Sequence, residues 1–429
     1  MNNIKKTISK IIIAFSFAVL STTFIYAQKI SAEEQKIVNY IDAHTEEAIA
    51  LLEKTVNIQS PTEDAAGVRQ VGTIFKNEFA ALGFDAKWIE MPAEMKRGGH
   101  LTAQLSGTKG KRILLIGHID TVLKGEKFRR DGKMAYGTGS ADMKAGNVVL
   151  YYALKALHAA GALKNASVIV HLTGDEEDSG TPLEISRRDM IEAAKRSDLV
   201  LSFENGGSNI ATVARRGYSD WELTVTAKTG HSSGIFKESM GSGAIFEVSR
   251  ILNQFYETLR NEKYLTFNPS IISGGTEVEA KDAALWATGK GNVVPAKVIV
   301  RGDLRFISEE QKESARAKMR EIAAKSLPGT SAKITFRDEM PAMPPTEGNY
   351  ALLRQLDAVS QELGFGKIEP LDPGERGAGD ISFIAHLLPG LDGLGATGGK
   401  AHAPGEYADL DTLPRQIKRA ALLIYRLTR

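Results

Sequence analysis

Apolar residues along the chain fall into two textures, which meet near Arg216 and part again near Asn349. In the first stretch, short continuous apolar runs alternate with helical periodicity. Ile113-Leu114-Leu115-Ile116, Val168-Ile169-Val170 and Leu199-Val200-Leu201 have no polar interruption, which predicts strands buried on both faces. Leu150, Ala153, Leu154 and Leu157 recur at helical spacing, which predicts a helix closed by Gly161. Ile37, Ile41, Ile49 and Leu52 predict helix nearer the amino end, and a further helical stretch runs from about Ala66 to Leu82 before Gly83. Strands alternating with helices imply an α/β layer with a mostly parallel sheet.

After Arg216 the period changes to two. Trp221, Leu223, Val225 and Ala227 alternate with Glu222, Thr224, Thr226 and Lys228, which predicts a half-exposed strand. A helix near Ala244 to Leu259 follows, then two or three strands between Tyr264 and Phe306. A helix from Ser308 to Lys325 and a strand from Ala332 to Phe336 complete a β-α-β-β-α-β order, that of a ferredoxin-like sandwich. One face of its sheet is expected to stay open or to pair with another copy. The organisation expected is an α/β domain over 33–215 and 338–429, interrupted by an α+β domain over 216–337.

The first residues stand outside both textures. Lys5, Lys6 and Lys10 precede an apolar run from Ile11 to Leu20 and then Ser21, Thr22 and Thr23, with no acid among them. A basic start, a run shorter than the ~20 residues of a membrane span and a small-residue exit predict a secretory signal peptide over 1–27. Cleavage after Ala27 or after Ala32 fits equally. An uncleaved anchor is the alternative, which the short run disfavours. The expectation is an exported protein, periplasmic or secreted, with no membrane attachment once the signal is removed. The chain has no Cys, which excludes disulfides and lipid attachment through a thiol. Its formal charge is +2, and losing the three lysines of 1–27 leaves −1. That balance gives no support for binding nucleic acid.

The candidate chemistry clusters at the ends of the buried runs. Gly117-His118-Ile119-Asp120 ends the first; His118 can bind a metal while Asp120 orients its other ring nitrogen. A lone histidine is more often structural. Gly139-Ser140-Ala141-Asp142-Met143-Lys144 opens the next helix, where Asp142 by itself reads more readily as an N-cap than as a ligand. Gly137 and Gly139 suggest a phosphate loop only weakly, because no Gly-Lys-Ser/Thr ending follows. Asp175-Glu176-Glu177-Asp178 follows the second run. Consecutive acids repel unless cations compensate, although a solvated acidic turn is equally open. In the metal reading one carboxylate binds an ion and its neighbour takes a proton from water. Glu204 ends the third run, and His402 lies in a glycine-rich loop. His158, within a helix, and His171, within a strand, read as scaffold. Together these His, Asp and Glu residues suit zinc or another borderline divalent ion, and two ions sharing a carboxylate would lie ~3.5–4 Å apart.

These motifs taken together resemble the glutamate carboxypeptidase-like family of zinc exopeptidases, relatives of peptidase T, aminoacylase and succinyl-diaminopimelate desuccinylase. The resemblance covers nearly all of the chain beyond the signal. It implies a zinc-exopeptidase catalytic domain interrupted by a ferredoxin-like dimerisation domain, with two zinc ions or other divalent metals per chain. His118 and Glu204 would hold one ion, Glu177 and His402 the other, and Asp142 would bridge them. Asp120 would support His118, and Glu176 would be the general base and then the proton donor to the leaving amine. Thr229-Gly230-His231-Ser232-Ser233 resembles a loop whose histidine reaches the partner's site in a homodimer, where His231 would stabilise the oxyanion. Gly291-Asn292-Val293-Val294-Pro295 and Gly302-Asp303-Leu304-Arg305 resemble substrate-binding strands, making Asn292 and Arg305 substrate contacts, with Arg305 on a carboxylate. Gly377-Ala378-Gly379-Asp380 matches the loop before the last ligand. Met143 departs from the pattern, standing where many relatives carry a second acid or another polar residue. Little effect is expected, because the neighbouring Asp142 is the ligand.

The expected activity is hydrolysis of an amide bond to release a C-terminal amino acid from a peptide or N-acyl amino acid, with a metal-held hydroxide as nucleophile. An aminopeptidase or dipeptidase using the same metals is the alternative within hydrolysis. A non-catalytic periplasmic binding protein is the alternative outside it, and it leaves Glu176 beside Glu177 without a purpose.

Overall fold

Three parallel strands, buried on both faces, carry the candidate site at their carboxyl ends. The computed structural model describes residues 30–429, so the signal peptide expected over 1–27 lies outside the described residues. The main sheet is built from β1 (Asp85–Ile89), β2 (His100–Leu105), β3 (Lys109–His118), β4 (Ala166–Thr173), β5 (Leu199–Ser202) and the short strand Gly390–Leu391. Its order is β1-β2-β4-β3-β5 and then Gly390–Leu391. The pairings from β4 through β3 and β5 to Gly390–Leu391 are parallel, whereas β1 with β2 and β2 with β4 pair antiparallel.

The uninterrupted apolar runs are explained by layers on both faces. Ile113, Leu115, Val168, Val170, Leu199 and Leu201 point into one core, which holds α1 (Ala145–Ala159) and the carboxyl-terminal helix Leu413–Leu427. Leu114, Ile116, Ile169 and Val200 point the other way, against Met190, Ala193, Ala194, Ile381 and Ile384. Helix α1 is apolar nearly all round because it lies inside the first core. Two glycines set its approach to the strand ends. A Cβ on Gly117 would come within 2.4 Å of Asn147 Oδ1, and one on Gly146 within 1.9 Å of the Phe203 carbonyl oxygen.

The inserted region has the expected topology. Its sheet contains β6 (Gly217–Ala227), β7 (Thr266–Gly275), β8 (Lys297–Phe306) and β9 (Thr330–Met340), in the antiparallel order β7-β8-β6-β9. Helices α2 (Ala244–Leu259) and α3 (Glu309–Ala324) cover one face. Trp221, Leu223, Val225, Val298, Val300 and Leu304 pack beneath them, and the opposite face is mostly polar, with Ile299 an exception. Trp221 donates its indole N–H to the Asp303 carbonyl at 3.1 Å and meets Phe255 edge-on. One count needs correction: four strands, not two or three, lie between Tyr264 and Phe306. The extra pair, Glu277–Lys281 and Ala284–Thr288, is a hairpin whose five paired positions project from the end of β7. Its polar and apolar residues mix too evenly to divide one run into two.

Entry to and exit from the insertion run side by side. Arg215 and Met343 exchange both backbone hydrogen bonds, at 2.9 and 3.0 Å, which fixes the inserted sheet beside the carboxyl edge of the main sheet.

His171 and His100 sit on adjacent strands with ring centroids 5.5 Å apart. His100 Nδ1 accepts the Gly174 N–H at 3.0 Å while its Nε2–H donates to the Ser186 carbonyl at 2.9 Å, so the ring is held neutral. Burial pushes both imidazoles below their ordinary range, His171 farther than His100. A depressed histidine contributes no penalty above its unfolded pKa and costs stability as the pH falls below it toward the folded value. A His171→Leu variant should therefore lose less stability than wild type between pH 7 and pH 5, read as the shift in urea midpoint; equal losses would contradict the assignment.

Candidate metal centre

Each ligand candidate reaches the same edge by a different local device. His118 ends β3, Glu177 follows β4 and Glu204 follows β5, so three adjacent parallel strands deliver three side chains to the crevice where such sheets bind ligands. Asp142 arrives differently from the N-cap alternative. The regular helix starts at Ala145, and Asp142 and Met143 have non-helical dihedrals in the preceding turn. His402 projects from a loop in left-handed backbone, with φ of 63°.

The side chains form two groups that share Asp142. In the first, His118 Nε2 lies 3.2 Å from Asp142 Oδ1 and 3.5 Å from Glu204 Oε1. In the second, His402 Nε2 lies 3.2 Å from Asp142 Oδ2 and 3.2 Å from Glu177 Oε2. The two oxygens of one carboxylate thus face different groups. A tetrahedral ion with bonds of ~2.0–2.1 Å keeps its ligands ~3.3 Å apart. The observed separations match that spacing, so the residues fit a pair of divalent ions.

Tautomer and charge point the same way. His118 Nδ1 lies 3.1 Å from the Asp120 carbonyl and 3.3 Å from Asp120 Oδ1, so two acceptors hold a ring proton there, and Nε2, which faces the carboxylates, is the atom that would bind an ion. Asp120 also accepts from Thr62 Oγ1 at 2.7 Å and from the backbone N–H groups of Glu176 and Glu177 at 3.2 and 3.1 Å. It therefore orients the histidine and shapes the acidic turn together. Asp142, Glu176, Glu177 and Glu204 converge on two imidazoles, an excess of negative charge withdrawn from water.

The perturbed acidities record that crowding. Burial, with Asp142 beside it, pushes Glu204 up to about 8. Glu176 is raised well above the usual range by withdrawal from water and by Glu204, Asp380 and Glu177. Burial also raises Glu177. His402 is pushed up to about 10 by hydrogen bonding to Asp142 and Glu177. Burial opposes charge on His118, but the carboxylates around it hold its pKa well above the ordinary range. Asp142 is lowered against the cost of its own burial by hydrogen bonds to both histidines. Divalent ions entering this cluster would displace the protons that it otherwise holds.

Several supporting residues carry no sequence signal of their own. Met143 Sδ accepts the His118 N–H at 3.1 Å, which gives the departing residue a structural role. Arg215 is buried against Asp392 and raises no strand or helix pattern. Arg187 pairs with Asp175 at 2.6 Å and Asp380 at 2.9 Å, filling the space behind the acidic turn. Glu406 is buried beneath the Asp142 turn and accepts three backbone N–H groups.

The other predicted residues divide into two sets. Arg305 lies with Tyr218, Glu176, Glu177 and His402 on a cleft of about 720 Å³ between the main and inserted sheets. Its guanidinium stacks over the Tyr218 ring and pairs with Asp303 at 2.9 Å. His231 and Asn292 do not line that cleft. They stand together elsewhere on the insertion, where the Ser232 N–H donates to the Asn292 carbonyl at 2.9 Å and the exposed His231 ring touches Ser233 Oγ at 2.9 Å.

Two imidazole–carboxylate groups sharing an aspartate at the carboxyl edge of a parallel sheet, with a free glutamate beside them, define a metallo-hydrolase centre. The model of peptidase family M20/M25/M40 matches residues 114–426, and the chain belongs to that family. It is 30% identical over 423 residues to carboxypeptidase G2 of Pseudomonas sp. (strain RS-16), an alignment covering 95% of this chain and 96% of that protein. Aminopeptidase PepT of Bacillus cereus shares the fold with a TM-score of 0.69 at 19% identity, over 90% of this chain and 99% of that one. So does the YXEP protein of Bacillus subtilis, a dinuclear metal binding peptidase of the M20 family, with a TM-score of 0.62 at 14% identity over 90% and 99%.

Asp120→Asn should expose how far the centre depends on its supporting acceptor. The amide replaces one acceptor oxygen with a donor facing N–H groups, so metal affinity should fall by about 10–100-fold. Stability should fall by about 1–3 kcal/mol. Chelator competition and urea unfolding read these separately, and unchanged affinity would remove Asp120 from the centre.

Proposed function

We propose that this chain is an exported metallopeptidase that cleaves the amide bond on the amino side of a C-terminal amino acid, releasing that residue from a peptide or N-acyl amino acid. The observation that carries the reading is the shared Asp142 between two ligand groups, with Glu176 left unligated beside them and Arg305 across the same cleft. Likeness over nearly the whole chain to a carboxypeptidase supports the direction of cleavage. The basic, then apolar, start of the sequence supports export. Among the described residues, no helix is long and apolar enough to cross a membrane.

In this reading His118, Glu204 and Asp142 hold one zinc ion, and Asp142, Glu177 and His402 hold the second. When bound, the ions supply Lewis-acid stabilisation of the developing oxyanion and bring water's acidity close to neutral pH. Glu176 takes the proton from the attacking water and delivers it to the leaving nitrogen. Its withdrawal from water favours the protonated form that passes the proton to the nitrogen, and cations bound beside it would favour the carboxylate that begins the cycle. Arg305, held in place by Asp303 and the Tyr218 ring, receives the substrate carboxylate.

His231 and Asn292 serve the active site of a partner in a homodimer. Their distance from this chain's own cleft supports that reading, as do the exposed Phe236, Ile245, Phe246, Tyr256 and Ile272 on the insertion. A second reading, an aminopeptidase or dipeptidase, draws on Asp338 and Glu339, which line the cleft and would receive a substrate amine.

Three outcomes follow. The zinc-loaded protein should release glutamate or another C-terminal residue from N-acyl substrates, and chelation should abolish this. Activity confined to substrates with a free amino terminus would favour the second reading. Glu176→Gln should lower kcat by about 10²–10⁴-fold. Its metal content should stay at the wild-type level; lost metal would make Glu176 a ligand instead. Mixed dimers of Glu176→Gln and His231→Ala chains should recover part of the activity that each variant lacks alone, and no recovery in verified mixed dimers would count against His231 acting across the interface.

A further inference from the structure

Glu406 lies four positions after His402 and is almost wholly buried, with 4% exposure. Its carboxylate faces the turn that carries Asp142. Oε2 accepts the Gly139 N–H at 2.8 Å, and Oε1 accepts the N–H groups of Ala141 at 2.8 Å and Asp142 at 2.9 Å. Its backbone carbonyl accepts the Gly137 N–H at 3.0 Å. Regular helix begins only at Ala145, so without Glu406 these N–H groups would be buried and unpaired. Successive N–H groups converging on one anion form a nest, and here the anion belongs to the chain itself.

The same residue is tied by sequence to His402. The His402 loop is closed by pairing of Gly398–Gly399 with Tyr407–Asp409, and the latter strand pairs in turn with Met134–Tyr136, immediately before the Asp142 turn. Glu406 therefore joins two ligands that stand 260 positions apart in the chain. The group of His118 and Glu204 has other supports: strand ends, Asp120 and the Asn147 amide, which donates to the His118 carbonyl at 2.6 Å.

We propose that Glu406 is the positioning residue of the second metal group, holding Asp142 and His402 in register before an ion arrives. This rests on the dinuclear reading above. Its consequence is asymmetry: loss of Glu406 displaces two ligands, Asp142 and His402, of one group but only the shared Asp142 of the group of His118 and Glu204, so binding at the group containing His402 weakens more.

The test is zinc titration of the full mature chain by chelator competition, comparing wild type with Glu406→Gln and Glu406→Asp. The glutamine keeps one acceptor oxygen and turns an amide donor toward an N–H. The aspartate keeps the charge but is too short to reach all three donors. Wild type should show two binding events. Each variant, with wild-type near-ultraviolet circular dichroism, should weaken one event by about 10–100-fold and the other by distinctly less. Two unchanged events in a folded variant would overturn the proposal, and so would equal weakening of both. Failure of both variants to fold would also overturn it, leaving Glu406 a purely structural residue. Fewer than two events in wild type would instead overturn the dinuclear reading.

Discussion

Four carboxylates crowded at one sheet edge repel one another unless cations lie among them, and the surrounding structure is arranged to hold that charge in place. Asp142, Glu176, Glu177 and Glu204 meet two imidazoles there. Behind them stand buried countercharges: Arg187 between Asp175 and Asp380, and Arg215 against Asp392. Around them, backbone N–H groups are committed to Asp120 and Glu406 rather than to solvent. Removing water from such charges is costly, so their concentration has a purpose only when ions complete it.

The main sheet supplies rigidity where the chemistry needs it. Strands β3, β4 and β5 are apolar on both faces, so their carboxyl ends have little freedom to shift under electrostatic repulsion. His118, Glu177 and Glu204 start from those ends. The remaining ligands come from turns, and turns must be held by specific hydrogen bonds. Asp142 and His402 are accordingly the ligands with the more elaborate support. The inserted sheet contributes Arg305 and Tyr218 to the opposite wall of the cleft, positioned by the paired crossing at Arg215 and Met343.

Much of this arrangement is legible in the sequence because it follows local patterns. Uninterrupted apolar runs marked the parallel strands, and alternation after Arg216 marked the inserted sheet. The strand-end ligands were legible for the same reason. Asp142 was legible as a chemical candidate but not in its geometry: an N-cap pattern and a non-helical turn before a helix share the same glycine-rich spelling. The hairpin at Glu277–Thr288 was hidden because its residues show neither clean alternation nor a continuous run. Glu406, Arg187 and Arg215 act on groups distant in sequence or on bare backbone, and neither relationship has a period to detect.

The central claim is that two ions sit on either side of the Asp142 carboxylate. Anomalous diffraction from crystals of the zinc-loaded protein, collected above and below the zinc edge, tests it directly. The account predicts two peaks, one among His118, Asp142 and Glu204 and one among Asp142, Glu177 and His402. A map with no peak at either group, or with one ion bound away from Asp142, would contradict it.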